Sequence, residues 1–319
     1  MNRVWWKRTA VRLVAAISCL APALCRADAP AQKLPSAMLV YPLIQVDGGG
    51  GDTRIEMVNL SGDPQVVECF YIDGSSCNEI GFVVSLTAYQ PVAWFAGGGF
   101  SNSGSAIPPF SGTTGALDCV VVPPQPGVEF HNTIQGRATV FDTTGRTISY
   151  GAVGFQRLTD GDFTGTVSLD GSTYAQCPAI LHFDVLADPS ASGGTLCDAS
   201  DPRSCMILLT CSQNLLLQVS SRTKVQFLVT NEFEQTFSNS TTVTCFAEDA
   251  LSDFTDSLSQ ARLGSATAHL SVRGVGVPLL GLVRDSVPFA SSYGTAGNEP
   301  SFQGGRSAIM TFPDVVTGP

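Results

Sequence analysis

Apolar and polar residues alternate singly along much of this chain. Between residues 53 and 60, Ile55 and Met57 fall on one side of an extended backbone, Arg54 and Glu56 on the other. Val225, Phe227 and Val229 alternate in the same way with Gln226, Leu228 and Thr230, and Ala268, Leu270 and Val272 with His269, Ser271 and Arg273. Successive side chains of a strand point to opposite faces, so each segment reads as a strand with one buried face. Helical signals are almost absent. The 32 glycines and 19 prolines punctuate short runs of Val, Ile, Thr, Phe and Leu, as turns punctuate strands. Many short strands at intervals of about 8–15 residues predict an all-β protein whose sheets pack face to face rather than closing into a barrel.

Parts of the pattern recur. Thr53-Arg54-Ile55, Asn59 and Cys69-Phe70 are echoed by Thr223-Lys224-Val225, Asn231 and Cys245-Phe246. Arg137-Ala138-Thr139-Val140 leads through a turn to Ile148-Ser149-Tyr150-Gly151-Ala152-Val153. Thr267-Ala268-His269-Leu270 leads likewise to Pro278-Leu279-Leu280-Gly281-Leu282-Val283. A duplicated unit accounts for both echoes, although any two strands rich in Val and Thr share some likeness. The Asp188-Pro189-Ser190-Ala191-Ser192-Gly193-Gly194 run has linker composition. The expected architecture is two tandem immunoglobulin-like β-sandwich domains with disulfides, over residues 38–186 and 206–313, joined by a linker at 187–205. Each unit is long enough to bury a core of its own.

The first 27 residues have the pattern of a secretory signal. Arg3, Lys7, Arg8 and Arg12 precede an apolar run over 13–24, and a small-residue cleavage site follows at Ala27, with Ala23 as the second choice. That run is shorter than the roughly 20 apolar residues that span a bilayer. Leu24 before Cys25, and Ala16-Ile17-Ser18 before Cys19, fit a lipidation box poorly. The expected location is therefore exported: periplasmic, cell-surface or extracellular. Removal of 1–27 leaves 12 basic against 27 acidic residues, which disfavours nucleic acid or an anionic membrane surface as partner. Eight cysteines remain: Cys69, Cys77, Cys119, Cys177, Cys197, Cys205, Cys211 and Cys245. An even number behind an export signal reads as a disulfide framework. Of the 105 pairings that four bridges allow, the expected one is Cys69–Cys77, Cys197–Cys205, Cys119–Cys177 and Cys211–Cys245.

The segments Thr53-Arg54-Ile55-Glu56-Met57-Val58-Asn59 and Cys69-Phe70-Tyr71 resemble a family of exported bacterial β-rich proteins without assigned function. So do Leu86-Thr87-Ala88-Tyr89-Gln90-Pro91 with Trp94, and Asn231-Glu232-Phe233-Glu234-Gln235-Thr236-Phe237-Ser238 with Thr244-Cys245-Phe246. The resemblance implies a bacterial source, export and a β-rich fold. It brings no ligand, activity or site residue.

Candidate chemistry is sparse. No G-x-S-x-G elbow exists, since the nearest run, residues 99–103, lacks the second glycine. His182 and Asp184, two apart on an expected strand, share a face and could pair, although the solvated side of a half-buried strand looks the same. His131 and His269 read as surface residues. Zinc ligands at close spacing are lacking. Calcium takes loop oxygens, so Asp160, Asp162 and Asp170 form a weak calcium candidate, and Asp47 and Asp52 flank a glycine run similarly. Asp-Gly is also the commonest hairpin turn chemistry, and that reading is preferred. Trp94, Glu232 and Glu234 are weak binding candidates. The plainer reading places Trp94 in the core, has Asn231 cap a turn, and has Phe233 and Phe237 seal a sandwich end. No cofactor is expected beyond that calcium. The function expected is a non-enzymatic surface or periplasmic module, structural or protein-interacting. A carbohydrate- or calcium-dependent binding module is the alternative.

Overall fold

The computed structural model describes residues 34–101, 106–122, 132–142, 147–159, 165–188, 197, 204–289 and 292–313. The chain begins with β1 (Met38–Gln45), β2 (Asp52–Asn59), β3 (Gln65–Asp73), β4 (Glu79–Leu86), β5 (Pro91–Phe95) and β6 (Phe100–Ser101). Next come β7 (Thr114–Val122), β8 (Ile134–Phe141), β9 (Thr147–Gly151), β10 (Val153–Phe155), β11 (Thr166–Leu169) and β12 (Cys177–Leu186). They are followed by β13 (Cys205–Thr210), β14 (Gln213–Asn214), β15 (Arg222–Asn231), β16 (Thr236–Thr244) and β17 (Phe246–Ala250). Two four-residue helices, α1 (Leu251–Phe254) and α2 (Gln260–Leu263), precede β18 (Thr267–Gly274) and β19 (Leu279–Phe289). The last strands are β20 (Ser292–Asn298), β21 (Ser301–Arg306) and β22 (Ala308–Thr311). The protein is nearly all β, as its alternation predicts.

An outer sheet, ordered β6-β5-β2-β8-β9, lies over an inner sheet ordered β10-β1-β7-β3-β4. In β2, Ile55 and Met57 are buried while Arg54 and Glu56 point outward. The inner sheet reads differently, because β1 and β7 are buried at almost every residue. Strands covered on both faces lose the polar alternation and become continuous apolar runs. One face of the inner sheet carries Tyr41, Cys69, Tyr71 and Cys119 toward the outer sheet. There Trp94 Nε1 donates to Tyr71 Oη at 2.7 Å, and Tyr41 Oη donates to the Glu56 carbonyl at 3.1 Å. The other face carries Val40, Phe70, Asp118 and Val120 toward C-terminal strands. Phe70 packs on Phe312 with ring centroids 5.1 Å apart, and Ile207, Leu209, Leu280 and Leu282 join the same core.

Those C-terminal strands belong to a nine-stranded sheet, ordered β20-β19-β13-β17-β16-β15-β18-β12-β21. A single pair, Thr244 with Phe246, joins β16 to β17, and Cys245 between them has φ 44°. The sheet folds back at this corner, so that Met206 and Leu208 of β13 share a second core with Val225, Phe227 and Val229 of β15 and Leu270 of β18. All six residues of β13 are buried, and its middle four, Met206 to Leu209, alternate between the two cores. Each such aliphatic side chain contributes about 1.5–3 kcal/mol relative to exposure, before chain entropy is counted. β12 precedes the linker expected at 187–205, yet it pairs with β18 and β21 of the nine-stranded sheet. β11 likewise pairs with β22. The small sheet β11-β22-β14 closes the end of the first core.

Four disulfides form, but three of the four expected pairings are wrong. Cys69 bonds Cys119, its direct cross-strand neighbour on β7, rather than Cys77. Cys77, in the turn after β3, bonds Cys245 at the corner of the nine-stranded sheet. Cys177 bonds Cys211. Only Cys197–Cys205 matches the expectation. Spacing favours neighbours along the chain, whereas strand pairing and layer packing bring distant cysteines together.

Candidate functional site

A concave feature lies on the solvent side of the outer sheet. β2, β5, β8 and β9 present Arg54, Glu56, Ala93, Gln135, Arg137 and Ser149 there, and Glu299 forms one wall of a groove of about 740 Å³. Strand register builds its centre. Glu56 stands directly opposite Arg137 across the β2–β8 pair, so one carboxylate meets two guanidiniums. Arg54 lies 2.9 Å from Glu56, and Arg137 makes a shorter contact to the other carboxylate oxygen. The hydrogen bond and negative charge of Glu56 raise the pKa of Arg137, keeping it firmly protonated. Thr139 Oγ1 and Ser149 Oγ sit 2.8 Å apart beside it, and Glu299 Oε1 accepts from the Gly151 N–H at 2.6 Å. Beyond Arg54 on the same face, Phe95 and Phe141 form a tilted pair with centroids 6.0 Å apart, Phe95 being 46% exposed.

The residues singled out in the sequence lie elsewhere. Trp94 is 2% exposed and belongs to the core, its ring edge-on to Phe82. Asp160 and Asp162 lie outside the described residues, as does His131. Asp170 is occupied by its own turn, its Oδ1 accepting from Ser172 N, Ser172 Oγ and Thr173 N. Partial burial opposes its ionisation, but these bonds outweigh it and lower its pKa. Asp47 accepts from Gly49 and Gly51, and Asp52 from Thr53 and Gly97. The bonds of Asp170 and Asp47 are those of Asx-type turns, which fix loop geometry, whereas Asp52 ties its strand to the turn after β5.

Asn231 caps its turn by accepting from Phe233 N and Gln235 N. Phe237 packs against the second core, whereas Phe233 is 62% exposed and seals nothing. Glu234 is exposed in the same turn with φ 61°. Glu232 lines a shallow recess with Asp184, Thr230 and His269. His182 and Asp184 share the outer face of β12, yet they do not pair with each other. Asp184 Oδ1 bonds His269 Nδ1 at 2.9 Å, while His182 Nδ1 bonds Ser271 Oγ at 2.9 Å and its Nε2 bonds Gln303 Oε1 at 2.8 Å. The acid orients one imidazole and the hydroxyl meets the other, so no Ser–His–Asp chain is formed. Among the described residues, no three His, Cys, Asp or Glu side chains are placed to hold a metal ion.

The groove escaped the sequence reading because its ladder exists only after β2 and β8 pair. The outward placement of Arg54 and Glu56 was the legible half of it. No protein-family model, curated protein or solved structure matches the chain.

Proposed function

We propose that this protein is an exported, non-enzymatic binding module that engages another protein through the solvent face of its outer sheet. The groove carries the reading: an Arg–Glu–Arg ladder lies beside a phenylalanine pair, Phe95 exposed and Phe141 half-buried, on a hydrogen-bonded sheet. Arginine and aromatic side chains dominate the energetics of protein interfaces, and a sheet already paired on both sides holds them without a large ordering cost. Export is supported by the basic-then-apolar start of the sequence and by four disulfides. Among the described residues no helix is long and apolar enough to cross a membrane.

The finer reading is a duplicated immunoglobulin-like unit, akin to the exported bacterial family that the sequence resembles. Its support is local. β2 and β15 both carry, as their second residue, a buried threonine whose hydroxyl bonds backbone, Thr53 to Gln45 and Thr223 to Val277. Both also end in a buried asparagine that accepts backbone N–H groups of the following turn, Asn59 from Ser61 and Asn231 from Phe233 and Gln235.

Photo-crosslinking in intact source cells tests the binding face. A crosslinker at Gln135 is expected to capture one recurrent protein at near-stoichiometric yield. The same group at Gln226, on the exposed side of β15, is expected to capture none. Equal capture from both positions, or none from Gln135, refutes the assignment.

A further inference from the structure

Asp118 is the most anomalous side chain among the described residues. It lies in the middle of β7, the central strand of the inner sheet, with zero exposure and both carboxyl oxygens lacking a hydrogen-bond partner. Its direct cross-strand neighbours are Val40 of β1 and Phe70 of β3. Directly opposed residues share a face, and Phe70 packs on Phe312, so Asp118 points away from the outer sheet. It enters the seam where the inner sheet meets β13 and β19, among the core that contains Ile207, Leu209, Leu280 and Leu282.

The charged groups on this seam are few. Glu68 shares the face of Asp118 on β3, and Glu79 of β4 shares it at the sheet edge, opposite Ile72, where its Oε1 accepts from Gln218 Nε2. Glu248 of β17 and Arg284 of β19 stand at the far end, where Glu248 accepts from Thr114 Oγ1 and Arg284 donates to Gln45 Oε1. The elements β1, β10, β11, β13 and β22 bring no Asp, Glu, His, Lys or Arg to it. A carboxylate with no counter-charge or donor is far costlier to bury than a neutral carboxylic acid.

We infer that Asp118 is a proton-dependent latch between the inner sheet and the β13–β19 layer, closed while the carboxyl is protonated and released when it ionises. Burial alone pushes its pKa to about 7. The sign follows from the raised value: the closed seam keeps its proton where the opened chain has lost it. The equilibrium therefore shifts toward opening about tenfold per pH unit from about pH 4 to about pH 7, and levels off above. The cumulative change is about a thousandfold. Other buried polar side chains near this sheet, such as Tyr71 and Trp94, have partners and are not expected to contribute.

Hydrogen exchange on the whole, disulfide-intact protein tests this, comparing wild type with Asp118→Asn and Asp118→Leu at each pH so that intrinsic exchange cancels. In wild type, protection of β1, β7, β13 and β19 is expected to fall across that window relative to either variant. Protection of β2 and β8 in the outer sheet should not follow it. The same pH dependence in wild type and Asp118→Leu, or an equal fall in the outer sheet, overturns the latch. Should both variants fail to fold, the carboxyl carbon resonance of Asp118 in wild type decides. Titration near pH 7 supports the latch, and titration in the ordinary carboxylate range refutes it.

Discussion

The two faces of the inner sheet are both lined by buried apolar side chains but treat their central polar groups in opposite ways. Against the outer sheet, polar side chains sit among the rings and are satisfied. Trp94 donates to Tyr71, Tyr41 to the Glu56 carbonyl and Tyr150 to the Leu43 carbonyl. Burial pushes the Tyr71 and Tyr150 hydroxyls well above their ordinary range, so they stay neutral. Against β13 and β19, the central polar group is a carboxyl without a partner, and a disulfide between Cys77 and Cys245 ties the two layers near one edge. A satisfied interface is indifferent to pH and intolerant of truncation. An interface with an orphan acid is conditional, and covalent tethering limits how far it can part.

The largest effect should come from the satisfied face. Trp94→Ala removes the biggest side chain packed there, and chemical denaturation should show a loss of about 3–5 kcal/mol. The seam answers to pH with a comparable amount. Asp118 has a folded pKa of about 7 against an ordinary 3.8, so folded stability should drop by about 4 kcal/mol between pH 4 and pH 7. Asp118→Leu should remove that slope, whereas Tyr71→Phe should leave it intact.

The tether ranks next. Replacing Cys77 and Cys245 together with alanine opens a loop spanning 168 residues in the unfolded chain, and should cost about 2–5 kcal/mol in the melting of the oxidised protein. The loss should deepen the pH dependence of exchange in β13 and β19 if the bond restrains the latch. Tyr71→Phe is smaller, about 1–3 kcal/mol, because it strands the Trp94 indole N–H without an acceptor. Arg137→Gln should change stability by no more than about 0.5 kcal/mol, since its ion pair is solvent-exposed. It should nevertheless weaken capture of the partner crosslinked at Gln135, separating the groove's role in binding from any role in folding.

Much of this was legible from single residues. The alternation in β2, β15 and β18 placed Ile55, Phe227 and Leu270 inside and Arg54, Gln226 and His269 outside. Trp94 in the core and Asp170 in a turn followed from ordinary burial and turn chemistry. Asp118 left a faint mark as a lone acid in the apolar run Thr114–Val122. That run does not say whether the acid finds a partner.

Local sequence thus determined the strand character, the inward and outward faces and the count of disulfides. Such properties depend on residues a few positions apart and on the period of an extended backbone. Tertiary structure alone decided which cysteines bond and that β12 and β11 pair with C-terminal strands. It also decided that β13 serves two cores, that Glu56 bridges two arginines, and that Asp118 is sealed in a seam. Each depends on side chains tens to hundreds of residues apart meeting across strands and layers, and one-dimensional spacing carries no record of that registry.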